Sequence, residues 1–193
     1  GAYVNEAEYA DVSGFTNTDE SVHDIFNIGH TSTSISLATG LAKARDLAGR
    51  SENVIAFIGD GALSGGEALE GLNVVGEMNT NFIIVFNDND QSIAENHGGM
   101  YKEFRRLRET NGTAENNLFR AMGLDYRYVA DGNDCEALID AFRAVKDSQT
   151  PVVVHIHTQK GKGYKFAEED PETWHYRMPF DIETGALKQP YTD

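Results

Sequence analysis

Apolar residues fall along this chain at two spacings, and each change of spacing marks a new element. Ile35, Ala38, Leu41 and Ala42 recur at helical intervals and predict a helix running to about Leu47, with Thr31 or Ser32 as its cap and Gly49 as its stop. Residues 53–58 form a nearly unbroken apolar run ending in Gly59-Asp60-Gly61. Such a run suits a strand buried on both faces of a parallel sheet. Helical spacing returns over 62–78 through Leu69, Leu72, Val75 and Met78, and residues 81–86 give a second apolar strand. Together these make a strand-helix-strand unit with a right-handed crossover. The pattern then predicts a short helix over 117–122, a strand over 126–129 and an amphipathic helix over 136–146 with Leu138, Ala141, Phe142 and Val145 inward. Residues 151–157 give the last buried strand.

This alternation predicts an α/β fold: a doubly wound, mostly parallel sheet with helices on both faces. In such sheets ligands gather outside the carboxyl ends of the strands, where both Gly59-Asp60-Gly61 and Asn87-Asp88-Asn89 fall. The expected organisation is a polar, irregular lead-in over 1–26, the α/β domain over 27–159, and a tail over 160–193. There is no internal repeat and no low-complexity tract.

Composition narrows the possibilities. A length of 193 residues, 40% hydrophobic and 24% charged, suits one globular domain. The net charge of −15 repels nucleic acid and anionic lipid surfaces, so neither is expected as a partner and an anionic ligand must be met by local donors. Cys135, the only cysteine, excludes an internal disulfide and any CxxC site, which suits a reducing cytoplasm. Apolar runs such as 82–86 are too short to cross a bilayer, and the N-terminus shows no basic region followed by a hydrophobic stretch. A cytoplasmic location is expected.

The two strand-end motifs carry the chemistry. A diphosphate needs close backbone, donors aimed at it and a hard cation to offset its charge. Gly59 and Gly61 allow the close approach, a helix beginning near Ala62 directs its free N–H groups to the same point, and Asp60 offers a carboxylate to magnesium. Magnesium takes about six oxygens and is usually held by one or two protein groups plus phosphate. Asn89, one helix and one strand after Asp60, supplies an amide oxygen, and the backbone carbonyl of Gln91 a third ligand. Gly-Asp-Gly alone is a common turn; its pairing with Asn-Asp-Asn is what makes two unrelated polar turns a poor explanation. A nicotinamide-binding fingerprint fails, because Ser64 stands where its third glycine should be.

The stretches 29–36 (GHTSTSIS), 58–66 (IGDGALSGG) and 87–93 (NDNDQSI) resemble the thiamine-diphosphate-dependent family of 1-deoxy-D-xylulose-5-phosphate synthase. Lys160-Gly161-Lys162-Gly163-Tyr164, followed by Ala167-Glu168, Asp170-Pro171 and His175, is similar to the stretch before that family's interdomain linker. The resemblance spans about 13–185 and implies thiamine diphosphate and Mg2+ as cofactors, with pyruvate and glyceraldehyde 3-phosphate as substrates. It further implies transferase activity in isoprenoid and thiamine biosynthesis, a homodimer, and a pyrimidine-binding domain on the same or a partner chain. His30, Lys160 and His175 match family residues near the reacting centre. Ser92 and Ile93 are expected beside the thiazolium or diphosphate. Three family features are missing: an early glycine-glycine-histidine element, part of the stretch between Ile93 and Asn117, and the partner domain with its glutamate and arginines. The rivals are a subunit of a split transketolase-like enzyme, a nicotinamide-dependent dehydrogenase and a cofactor-binding module without turnover.

Two further groups have plainer explanations. His155 and His157 share one strand face, but with no carboxylate or thiol partner in view they fit packed, hydrogen-bonded residues better than metal ligands. Lys102, Arg105, Arg106 and Arg108 form the one basic cluster and fit a solvated helix face better than a phosphate site.

Overall fold

The computed structural model describes residues 14–188; parts of the expected lead-in and tail, 1–13 and 189–193, lie outside them. The chain divides into two compact units, Gly1–Thr31 and Ser32–Asp193. In the first, Thr16 and Ile28 form an antiparallel bridge, and the loop between them is closed by side chains. The Asp24 carboxylate accepts from Asn17 N at 3.0 Å, and Asn27 Oδ1 accepts from Thr18 N at 2.7 Å.

The second unit holds a four-stranded, wholly parallel sheet in the order β1-β2-β4-β3, with β1 Ile55–Gly59, β2 Phe82–Asp88, β3 Asp125–Val129 and β4 Pro151–His157. Because side chains alternate along a strand, the sheet feeds two cores, one on each face. Ala56, Ile58, Phe82, Ile84, Phe86 and Val153 face one side, where α1 (Ser34–Leu47), α3 (Gly66–Val75) and α4 (Gly99–Glu109) contribute Ile35, Leu72 and Phe104. On the other side Ile83, Val85, Val152, Val154 and Ile156 meet α6 (Cys135–Val145) through Ala137, Leu138, Ala141, Phe142 and Val145. Helices on both faces of a parallel sheet are the architecture the alternation predicts. Phe86 sits where the elements converge, 4.8 Å from the Phe104 ring and 5.6 Å from Phe119 on α5 (Leu118–Ala121). Truncating it to Ala should cost about 3–5 kcal/mol.

Four expectations need correction. The residue before α1 is Thr33, not Thr31 or Ser32; Ser32 has φ 72°, outside the cap's usual geometry. Gly49 does end that helix, at φ 65°. The helix expected over 62–78 is two, α2 (Asp60–Leu63) and α3, because the chain turns at Ser64-Gly65. The free N–H groups nearest the candidate diphosphate therefore belong to a single turn that starts at Asp60 itself. Strand β1 is buried on one face only: Ile55 and Phe57 are exposed, since β1 is the sheet edge and α6 packs over the other strands.

Residues 160–188 are ordered around aromatic rings. Lys165–Glu169 forms α7, Trp174 packs against Tyr164, Phe166 and Phe180, and Phe180 bridges to Leu187.

Candidate diphosphate and metal site

Strand register builds the site. Gly59 pairs with Asn87, so the chain leaves two neighbouring strands side by side and delivers Asp60 and Asn89 to one edge of the sheet. Asp60 is only 2% exposed. Its Oδ1 accepts from Gly61 N at 2.9 Å and its Oδ2 from Asn96 Nδ2 at 2.9 Å. Burial pushes its carboxyl up to about 6, and the nearby charges of Asp88 and Asp90 add to the rise while the Gly61 N–H opposes it. Both bonds to Asp60 come from neutral donors, whereas Asp88 and Asp90 are paired with Arg108, so the charge left to offset is that of Asp60 itself, which a divalent cation would do.

The turn after β2 is built from its own side chains. Asp88 Oδ1 accepts from Asp90 N at 3.1 Å, and Asn89 Oδ1 from Gln91 N at 3.2 Å. Asp90 takes φ 62°, a left-handed conformation that Asp tolerates better than most residues. Thr158 seals the turn from β4, its Oγ1 donating to Asn87 Oδ1 at 2.7 Å and its N to Asp88 O at 2.9 Å.

Two observations test whether a magnesium diphosphate fits. Gln91 Oε1, on the side chain of the residue whose backbone carbonyl is the candidate ligand, is buried without a hydrogen-bond partner, an acceptor that suits a cation and not a phosphate oxygen. A Cβ added at Gly59 would meet nothing nearer than Asn87 O at 4.0 Å, so the missing side chain leaves space in front of the turn. Gly61 is different. A Cβ there would lie 2.8 Å from Ser92 Cβ, so this glycine is required by protein packing as much as by any ligand. The donor set fits magnesium. Among the described residues no group of three or more His, Cys, Asp or Glu side chains converges on a metal site, so phosphate oxygens and water would complete the shell.

The other candidate residues are spread more widely. Ala62 lies within α2, and Ser92 follows the turn after β2, donating to Asn96 Oδ1. Ile93 is 61% exposed, so it is no part of the core. Lys160 reaches back across the site: its Nζ donates to the carbonyls of Ser92 at 2.6 Å and Ile93 at 3.2 Å. Burial lowers its pKa, opposed by the carboxylates of Asp60 and Glu172. His175 is exposed beside Trp174 in the sequence, its backbone N donating to Glu172 O at 3.2 Å. His30 is exposed and belongs to the first unit. Beside Asn89 and Gln91 a cavity of about 600 Å³ opens at the carboxyl ends of β2 and β4, its wall including His157, Thr158 and Lys160.

Sequence pattern alone missed the groups that hold the site in place. Asn96, 6% exposed, links Ser92 to Asp60. Asp88 and His155 are fully buried and bonded, His155 Nε2 to Asp88 Oδ2 at 2.9 Å, while Tyr126 Oη lies 2.7 Å from His155 Nδ1. Burial keeps His155 below its ordinary pKa against the pull of Asp88, which fits a packed residue and not a ligand. The basic cluster also divides. Lys102 and Arg105 are exposed as expected, but Arg108 is 9% exposed and bonded to Asp88 and Asp90.

A family model described as 1-deoxy-D-xylulose-5-phosphate synthase matches residues 5–115 and 109–158. The chain belongs to this family. Among curated members it is 41% identical over 190 residues to the 1-deoxy-D-xylulose-5-phosphate synthase of Listeria monocytogenes, covering 95% of this chain and 31% of that protein. It is 37% identical over 226 residues to that of Caldanaerobacter subterraneus, covering 96% of this chain and 36% of that protein. The chain thus spans about a third of the length of these synthases. The second alignment is longer than the 193-residue chain, so that synthase carries residues this one does not. A solved structure assigned as a thiamin diphosphate-dependent enzyme from Mycobacterium smegmatis superposes with a TM-score of 0.51 at 15% identity, covering 68% of this chain and 22% of that one. At this identity the likeness supports the fold alone, a parallel sheet with helices on both faces.

Proposed function

We propose that this chain is the diphosphate-binding part of a synthase that condenses pyruvate, with loss of carbon dioxide, and glyceraldehyde 3-phosphate to 1-deoxy-D-xylulose 5-phosphate. The observation that carries the proposal is the delivery of buried Asp60 and of Asn89 from adjacent parallel strands to one edge of the sheet. Thiamine diphosphate, when bound, supplies the electron sink that makes decarboxylation and carbon–carbon bond formation feasible. The chain's part is to bind and orient it. Asp60, the amide oxygen of Asn89 and the carbonyl of Gln91 hold Mg2+, while Gly59, Gly61 and Ala62 present backbone to the diphosphate. Ser92 and Ile93 flank it.

Lys160 has a double part in this proposal. It ties the 92–93 backbone to β4's end and brings a cation to a site that must accept anionic substrates in a protein of charge −15. His30 and His175 hold or move protons at the substrate. The pyrimidine ring is held by another domain, on the same full-length chain or a partner chain, within a homodimer in the cytoplasm; the pathway supplied is isoprenoid and thiamine synthesis.

Exchange of the cofactor's acidic C2 proton tests the division of labour. With Mg2+, the 193-residue chain should leave exchange near its rate in free solution, and adding the pyrimidine-binding domain should accelerate it and permit release of carbon dioxide from pyruvate. Fast exchange on the isolated chain would overturn the proposal.

A further inference from the structure

Among the described residues the Asn89 side chain bonds only within its own turn, to Gln91 N, yet metal ligation demands a fixed position. The residues on either side of it are fixed instead, and by one group. Arg108 Nη1 donates to both carboxylate oxygens of Asp88, at 2.7 and 2.6 Å, and its Nη2 lies 2.8 Å from Asp90 Oδ1. The planar guanidinium therefore spans the turn and grips it immediately before and immediately after Asn89. It is held in turn by α4, whose Phe104 and Leu107 are fully buried in the core. Asp88 is anchored a second time by His155, and Asp90 holds its left-handed backbone within the guanidinium's reach.

We propose that Arg108 is the positioning residue of the metal turn: it sets the path of the backbone through Asn89, and so the place of the amide oxygen, without touching the cation. This rests on the assignment of Asn89 as a magnesium ligand. Lysine cannot replace Arg108, because one ammonium does not reach both sides of the turn in fixed geometry.

The test uses three forms of the chain: the parent, Arg108→Lys, and Arg108→Met combined with Asp88→Asn. The double variant removes the buried Asp88 carboxylate together with its partner, so that no fully buried charge is left unpaired, while Asp90 is 36% exposed and keeps Arg105 at 3.9 Å. Apparent Mg2+ affinity is measured by calorimetry in the presence of thiamine diphosphate, and the folded fraction by circular dichroism. Both variants should remain folded and lose about tenfold or more in Mg2+ affinity, the range found when a group supporting a metal ligand is removed. Mg2+ affinity within twofold of the parent in both, or a loss that disappears once corrected for the folded fraction, overturns the positioning role and leaves the metal assignment standing. A parent chain whose cofactor binding ignores Mg2+ overturns both.

Discussion

Replacing Asp60 by Asn should stabilise the metal-free chain and at the same time remove its magnesium-dependent hold on the cofactor. The carboxyl is 2% exposed, and burial raises its pKa from 3.8 to about 6. A folded-state pKa above that of the unfolded chain means the group costs nothing below about pH 4 and progressively more as pH rises through 6, where it is forced to ionise in the fold. The full cost is about 3 kcal/mol, from roughly 1.4 kcal/mol per pKa unit. Asn should fit the same place. Its oxygen can accept from Gly61 N, and its amide can face a rotated Asn96, whose own amide group then donates to the Ser92 hydroxyl. Urea unfolding of parent and variant without Mg2+ should therefore coincide near pH 3.5 and diverge by up to about 3 kcal/mol near pH 8, with a thermal midpoint raised on the order of 6–12 °C. A variant less stable than the parent at high pH, or a gain independent of pH, would refute this account of Asp60.

Asn96→Ala removes the donor to Asp60 Oδ2 and should destabilise the chain by about 2 kcal/mol at neutral pH, with a smaller loss in acid where the carboxyl is already protonated; urea midpoints at both pH values check this. His30→Ala and His175→Ala, placed in the full-length enzyme, should each lower turnover by on the order of a hundredfold with little change in cofactor affinity, as expected of groups that move protons. Equal losses in binding and rate would mark them as structural.

Much of this site is legible in the sequence because short apolar runs and their polar ends coincide with real strand ends. The run over 151–157 is a strand throughout, and the two motifs at 59–61 and 87–89 do leave adjacent strands. What spacing does not carry is position within the sheet. Nothing in the run before Gly59 distinguishes an edge strand with Ile55 and Phe57 exposed from a central one. Nor does the break at Ser64-Gly65 disturb the period of Leu69, Leu72 and Val75, so two helices read as one. The supporting residues were hidden for a different reason. Asn96 is a single polar residue in a loop, and Arg108 sits in a basic run whose plainest explanation is solvation; only folding brings the first to Asp60 and the second to Asp88 and Asp90.

The central claim, that Asp60 and Asn89 hold the cation that binds the cofactor's diphosphate, is tested most directly by calorimetric titration of thiamine diphosphate into the chain with and without Mg2+. The parent should bind only with the metal, Asp60→Ala should lose binding because the anionic ligand is gone, and Asn89→Ala should weaken it less because a neutral oxygen is lost. Binding by Asp60→Ala as tight as that of the parent in Mg2+ would contradict the account.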